Sequence, residues 1–581
     1  MPSAAIGGGR HFLKGCVGLP VLRTRLLRQI VAAFLALVIA GMFFVPLLSV
    51  VKMAFTADGG FSFASFIKIL TSARQYHVIA NTLIINIASS LLAATLGVSA
   101  AYCIAYTNLP NKKWLHRALL LPLLIPGYII TLAWMQFFAK GGVVASSLRL
   151  IFPAISMPNI YSFGGIIFVF AVTKYPIIYT LTLSTFRKIP VDLELAAAVS
   201  GCNRRQIFRK VTLPVSMSGL ANGVLLVFLS CLDNFGTVAF LGIPAHITVM
   251  TTDIYQSVIS MSGNSFADAS AKSVVLGLIG VAASVLAWRC AGRFVTLQTE
   301  TEDMNSRILL SRKKARLIQL IMLAGILLIN FVPLLTLIQT SLLRAFGLPP
   351  TPENMTLENY AFLFSNQKCI NAVFNSIILA IVTAIICLII GTIAAYLLVR
   401  CPGHFSRALD FMISIPYSIP GIILGLALIL TWAKPLPFIG KTIYGTIFML
   451  LLSYVIRFTA LQIRSSSAAI LQVDASMEEA GRVNGAHGLR LWFKILLPLI
   501  APGCVSGMGL VFLSTLTELT TSSLLWSAGS ETIGVVIYNY TSAGQTTVAC
   551  AFSVAILIII GLLAGVQALL SYLIRYKKEE E

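Results

Sequence analysis

Uncharged apolar runs recur along the whole chain, with short polar stretches between them. A helix that crosses a bilayer needs roughly 20 apolar residues. Runs of that length fall near residues 29–51, 79–105, 116–138, 161–185, 217–241, 270–292, 317–341, 373–399, 408–432, 442–465, 499–525 and 549–574. They are too long for barrel strands and lack the apolar-polar alternation of such strands. The pattern predicts an all-α polytopic membrane protein of about 12 transmembrane helices. The first run, IVAAFLALVIAGMFFVPLLSVV after Arg28, is too long and too poorly cleavable for a signal peptide and reads as a retained helix.

Composition agrees with this class. Of 581 residues, 57% are hydrophobic and 11% charged, more apolar surface than soluble globules of ordinary size can hide. A net charge of +22 would suit a nucleic-acid binder, but its placement argues against nucleic acid and for a membrane topology. Basic residues occupy the tail before the first run (Arg10, Lys14, Arg23, Arg25, Arg28) and then every second loop: Lys112, Lys113 and Arg117; Arg187 to Lys210; Arg312 to Arg316; Arg482 to Lys494; Lys577 and Lys578. The loop from about 244 to 269 has none. Lys and Arg are retained on the cytoplasmic side, so both termini are expected there. Ten scattered cysteines form no CxxC pair and six histidines no HExxH arrangement; they read as packing residues, and no catalytic or metal-binding residue is assigned.

The chain is written twice. NTLIINIASSLLAATLGVSAAY, Asn81 to Tyr102, aligns with NSIILAIVTAIICLIIGTIAAY, Asn375 to Tyr396, at an offset of 294, which also aligns LPLLIPG at Leu121 with IPYSIPG at Ile415. Further on Gly201 aligns with Gly485 at an offset of 284, so about ten residues are missing from the second half between these points. Each half holds about six spans, so the repeats are parallel and a pathway between them is the natural product. The expected domains are a cytoplasmic tail 1–28, a first transmembrane domain 29–292, a cytoplasmic linker 293–316 that reads as a tether, a second transmembrane domain 317–575, and a tail 576–581.

Two sets of residues inside the runs stand out. Pro122 and Pro126 in the third, and Pro416 and Pro420 in the ninth, should kink or unwind their helices. A packing kink and a cavity-lining hinge both fit. Lys174 and Arg457, in the fourth and tenth runs, and Asp233 and Glu518, late in the fifth and eleventh, look like equivalent places. A charge at the bilayer centre costs about 2.5–3.5 kcal/mol on insertion scales, so all four should face protein or water. Either each cation pairs with the acid of its own half, or the acids line a polar pathway with Asn234, Thr517, Thr520 and Thr521.

LELAAAVSGCNRRQIFRKVTLP, from Leu193 to Pro214, and EEAGRVNGAHGLRLWFKILLP, from Glu478 to Pro498, occupy the loop between the fourth and fifth spans of each half. Their common frame is a small pair, a glycine, nine residues, a β-branched residue, one residue and Leu-Pro. These are Ala196, Ala197, Gly201, Val211, Leu213 and Pro214 in one copy, and Ala480, Gly481, Gly485, Ile495, Leu497 and Pro498 in the other. Small residues let a short helix approach a partner, glycine permits the turn, and proline starts the next helix where a missing N–H is harmless. The frame resembles the EAA loop of permease subunits of binding-protein-dependent ABC importers.

That resemblance covers nearly the whole chain and implies the type I ABC importer permease fold in a multi-pass protein of the bacterial inner membrane. It implies a transport subunit, not an enzyme, working by alternating access. Each loop would enter a cleft on one of two cytoplasmic ATPase subunits, which bind the ATP and Mg, and a periplasmic or lipid-anchored protein would deliver the solute. Gly440-Lys441-Thr442 is no P-loop, since Pro435 stands where its first glycine belongs. The fused halves, with LDNFGT and TELTTSSLL, resemble most closely the ferric-iron importer permeases; importers of 2-aminoethylphosphonate, thiamine, polyamines, sulfate or sugar phosphates are alternatives. An ion-coupled secondary transporter is a reading from another class that leaves the two loops unexplained. Where the family pattern has glutamate, the second copy has Glu479, beside Glu478, but the first has Leu195, with Glu194 one residue earlier. Adjacent helix positions lie about 100° apart, so the first carboxylate is expected to face elsewhere and the two grips to be unequal.

Overall fold

The computed structural model describes residues 41–57, 60–142, 144–145, 157–260, 264–291, 303–400, 419–433, 440 and 442–580. Among these, nine helices are long and apolar enough to cross a membrane: Ala73–Tyr106, Phe163–Arg187, Arg204–Leu232, Ser265–Ala287, Arg312–Ser341, Gln367–Arg400, Ile447–Leu471, Trp492–Leu516 and Thr546–Leu563. They correspond to nine of the expected spans. Gly41–Ala54 and Gly421–Trp432 are shorter apolar helices in the first and ninth spans; residues 29–40 and 408–418 of those spans, Pro416 included, lie outside the described residues. The tail 1–28 and residues 293–302 of the linker lie outside them as well.

The third span is broken. Lys112–Leu123 and Gly127–Phe138 meet at 96°. Pro122 sits in a 3-10 turn, Leu121–Leu123, and Pro126 takes an extended conformation (φ −54°, ψ 132°) just before the second segment. Proline lacks the N–H that would continue the ladder, so the chain restarts rather than bends. Pro420 repeats this before Gly421–Trp432 (φ −53°, ψ 136°).

The fifth and eleventh spans differ from expectation in a related way. Neither runs on to 241 or 525; their helices stop at Leu232 and Leu516, and short helices Gly236–Leu241 and Ser522–Leu525 follow. Near the start of each lies a π turn, Phe208–Thr212 and Trp492–Leu496, ending two residues before Pro214 and Pro498. Leu213 N–H and Leu497 N–H reach back five residues, to Phe208 O and Trp492 O. A third π turn, Leu327–Phe331, precedes Pro333. A proline one turn ahead has no donor for the carbonyl four residues back, and widening the turn shifts the ladder around it.

Contacts gather the chain into two units. One joins Ala54–Ile370 to Gly534–Glu581, and the other joins Met1–Met53 to Asn371–Ile533. The units therefore cut across the sequence repeats. In the first, Asn330 and Thr336 of the seventh span reach back to the broken third span, donating to Ala118 O (3.3 Å) and Ala133 O (3.5 Å).

Matched bonds recur in both units. Asn81 Nδ2 donates to Thr248 O at 3.1 Å, and Asn375 Nδ2 to Glu531 O at 3.1 Å. Thr82 Oγ1 receives Met250 N–H at 2.9 Å, and Ser376 Oγ receives Ile533 N–H at 3.0 Å. Gly97 and Gly391 occupy one position of the repeat, and a Cβ on either would meet the neighbouring helix within 3.0 Å, at Tyr175 O or Gln462 Cγ. Small residues at such crossings are what lets membrane helices pack closely. The helix ends also place the missing ten residues: Phe138 pairs with Trp432 at offset 294, Phe163 with Ile447 at 284, so the shortening falls in the loop between.

Candidate functional site

The first EAA-like motif forms a helix, Val191–Val199, and the second Ala475–Val483. Each closes on a glycine in the left-handed region, Gly201 (φ 84°) and Gly485 (φ 79°), which a side chain rarely adopts. Cys202 N–H then reaches back to Ala197 O and Ala486 N–H to Gly481 O, at 3.0 and 2.9 Å. Gly481 permits a close crossing, since a Cβ there would lie 2.5 Å from Ile495 Cδ1. Leu213 with Pro214, and Leu497 with Pro498, start the helices that follow. The stems are pinned by matched aromatic pairs, Tyr102 edge-on to Phe208 at 5.2 Å and Tyr396 edge-on to Trp492 at 5.1 Å.

Glu194 and Glu478 prove to be counterparts, 284 apart, and both turn inward. The Glu194 carboxylate accepts from Tyr106 OH (2.8 Å) and Thr212 Oγ1 (2.7 Å) and lies 3.2 Å from Arg307 Nη1. Glu478, 4% exposed, accepts from Arg400 Nε (2.8 Å) and Tyr396 OH (3.3 Å), with Arg482 Nη2 at 3.6 Å. Arg307 also donates to Ile189 O, and Arg400 to Val473 O, both at 2.6 Å and again at matched positions. Glu194 therefore faces away from the family's glutamate position, which Leu195 holds in the first copy and Glu479 in the second; both are exposed, with Ala196 and Ala480. Val199 and Val483, 89% and 87% exposed, close the same face. Sequence reasoning missed these two valines; their matching places at the end of an otherwise small-residue helix were the available signal.

The linker is more than a tether. Ile308 N–H donates to Tyr106 O (2.7 Å), Leu310 N–H to Asn108 Oδ1 (2.8 Å) and Asp303 N–H to Arg187 O (2.9 Å). Arg307 stacks over the Tyr106 ring at 5.2 Å.

The membrane charges are not the matched set the sequence suggested. Helices Phe163–Arg187 and Ile447–Leu471 align at 284, which sets Arg457 opposite Thr173 and leaves Lys174 one residue on, about 100° around the helix. The breaks after Leu232 and Leu516 align Glu518 with Asn234, not with Asp233. The bonding agrees: Thr237 N–H donates to Asn234 Oδ1 at 2.8 Å, and Thr521 N–H to Glu518 Oε1 at 2.7 Å. Glu518, 6% exposed, also accepts from Ser522 N–H (3.0 Å) and Ser522 Oγ (2.5 Å), and Ser522 Oγ meets Tyr454 OH at 2.6 Å. A carboxylate or amide that takes a free N–H at a helix start competes with continuation of the helix, which accounts for the breaks.

Each break meets the start of the helix that follows Pro126 or Pro420. A Cβ on Gly127 would lie 3.8 Å from both Asn234 Nδ2 and Thr173 Cγ2, and Thr131 Oγ1 meets Thr237 Oγ1 at 3.0 Å. In the other unit a Cβ on Gly421 would run into the Arg457 guanidinium, and Arg457 Nη1 donates to Thr521 Oγ1 at 3.3 Å. Arg457 and Glu518 are thus linked through Thr521. Thr517 turns its hydroxyl back to Leu513 O, and Thr520 is buried. Thr131, Thr173 and Thr237 belong to this cluster and were not legible, because lone threonines in apolar runs carry no signal. Asp233 and Lys174 are half-buried on the elements that flank it.

Comparison with known proteins follows the same lines. The family described as "Binding-protein-dependent transport system inner membrane component" matches residues 93–297 and 387–576. A probable ABC transporter permease protein, y4fN, of Sinorhizobium fredii is 23% identical over 89% of this chain and 92% of its own. The ferric transport system permease protein FbpB of Actinobacillus pleuropneumoniae is 24% identical over 91% and 76%. The putrescine transport system permease protein PotI of Escherichia coli is 32% identical over 32% and 66%. Both matched segments contain one motif helix and one broken-helix cluster, and together they span most of the chain, which therefore belongs to the family of inner membrane components of binding-protein-dependent transport systems.

Proposed function

We propose that this chain carries a hydrophilic solute into the cytoplasm by alternating access, driven by two separate ATPase subunits that dock on Val191–Val199 and Ala475–Val483. The observation that carries the reading is the matched pair of inward-turned glutamates, each fixing a short helix whose other face is exposed and mostly small or apolar. Such a face suits a cleft, and an internal anchor lets force on it pass to the following span. Both loops, and both termini, lie on the cytoplasmic side in the topology that Lys and Arg placement favours. ATP and Mg would be held by the partners and the solute handed over by an external binding protein. Ferric iron is the preferred solute, supported by the ferric permeases that match along nearly the whole chain. Thiamine, polyamine, phosphonate and sugar-phosphate importers are the alternatives within the class.

Reconstitution with a partner ATPase and a solute-binding protein tests the reading. ATP-dependent accumulation of ferric iron inside vesicles, absent without the binding protein, is expected. Transport that survives ATP depletion, in a chain that never retains an ATPase, would point to an ion-coupled transporter. ATP-driven uptake of another solute with no iron uptake would keep the class and replace the substrate.

A further inference from the structure

The two motif helices are anchored by the same chemistry from different sources. In the second unit Arg400, the last residue of Gln367–Arg400, binds Glu478 and Val473 O. Its match in the first half, at offset 294, is Tyr106, which cannot supply a guanidinium. Tyr106 keeps a hydroxyl on Glu194, and the cation comes from Arg307, some 200 residues downstream of Tyr106 in the segment that joins the repeats. Arg307 is 10% exposed in its side chain and makes three contacts at once: the Glu194 carboxylate, Ile189 O and the Tyr106 ring. Asp303, 3.4 Å away, adds a second carboxylate. Planar guanidinium can serve a carboxylate, a carbonyl and an aromatic face together, and lysine cannot.

We propose that Arg307 is a positioning residue for the first motif helix, so that the link between the repeats sets how firmly that helix transmits ATPase motion. The proposal rests on the coupling role given above. Arg307 acts by holding Glu194 and Ile189, two residues before the helix, in place. The first helix thereby depends on a segment outside its own repeat, while the second carries its clasp within its own.

Hydrogen exchange and transport measured on the same variants test this. In Arg307→Ala, amides from 196 to 202 should exchange about 10-fold faster, with those from 480 to 486 unchanged. In the reconstituted transporter the solute moved per ATP hydrolysed should fall about 3-fold or more, while the KM for ATP stays as in the parent. Arg307→Lys should fall between. Adding Tyr106→Arg to Arg307→Ala puts a guanidinium where Arg400 stands in the other half, and should restore both readouts to within about 2-fold. Unchanged exchange in Arg307→Ala overturns the positioning role, whatever the chain transports. Faster exchange with an unchanged transport ratio overturns the link to coupling. Failure of Tyr106→Arg to rescue, in protein that remains monodisperse, overturns the equivalence of the two clasps. If the parent shows no ATP-driven uptake, the proposed function fails first, and the exchange result still decides the local anchor.

Discussion

Glu194 and Glu478 sit 284 residues apart in sequence and in one place of the repeated fold, each bound to an arginine that also holds the carbonyl five residues upstream. Both carboxylates point into protein, so the acid one residue before the position of the family's glutamate serves as an anchor. Glu478→Ala should strip Arg400 of its buried partner. Breaking such pairs costs about 3–5 kcal/mol when burial is complete; with Arg400 still 18% exposed, about 2 kcal/mol is expected. Thermal unfolding of the solubilised chain reads this, with Glu194→Ala giving a comparable loss.

The outer face of the same helices predicts the opposite split. Val199→Asp and Val483→Asp change exposed positions, so stability should move by no more than about 0.5 kcal/mol. Retention of an ATPase subunit should nevertheless drop about 10-fold, a loss of roughly 1.4 kcal/mol of binding. Pull-down from membranes and unfolding of the same preparations separate the two effects. Glu479→Ala belongs with this set, whereas Gly201→Ala and Gly485→Ala should cost about 1–2 kcal/mol each, because alanine must hold a left-handed turn.

Substitutions at the helix breaks should be unequal. Glu518→Ala orphans Thr521 N–H and Ser522 N–H and leaves the Ser522 hydroxyl only its other partners, and each buried unsatisfied group costs about 1–3 kcal/mol. Asn234→Ala orphans one N–H that the structure assigns to it. Transport and unfolding temperature should both fall further in Glu518→Ala. Equal losses at the two positions would remove the argument that the breaks differ in chemistry.

Acid should loosen the second motif helix through Asp474, its N-cap, which accepts from Ser476 N–H at 2.9 Å. That hydrogen bond holds the Asp474 carboxyl below the usual carboxylate range. A depressed value in the folded chain means the cap contributes fully above the ordinary aspartate pKa of about 3.9, and is lost as pH falls through the lower folded value. Exchange at residues 476 and 477 should therefore stay slow at pH 5 and rise only in stronger acid. The first helix, capped by Pro190, should show no such step.

The helical class, the spans and the duplication could be read from apolar run length and offset, because those follow from bilayer thickness and chain copying alone. The motif glycines and prolines were legible for a similar reason: Gly201, Gly485, Pro126 and Pro420 act through their own backbone. Pairing of side chains was not. Asp233 and Glu518 looked matched because both are acids near the ends of apolar runs, but the registers that align Leu232 with Leu516 give Glu518 the place of Asn234. The role of Arg307 was hidden by distance, since nothing in the polar linker marks which of its basic residues returns to Glu194.

The ten-residue shortening of the second half has a consequence for how the chain meets its surroundings. The motif loops keep one length in both halves, so the two ATPase subunits proposed above would meet loops of matching length. The loops that follow Phe138 and Trp432, on the other side of the membrane in the charge-derived topology, do not match in length. If a carrier protein docks there singly, as proposed above, the two halves offer it loops that differ by about ten residues, so its two half-turn orientations would not be equivalent.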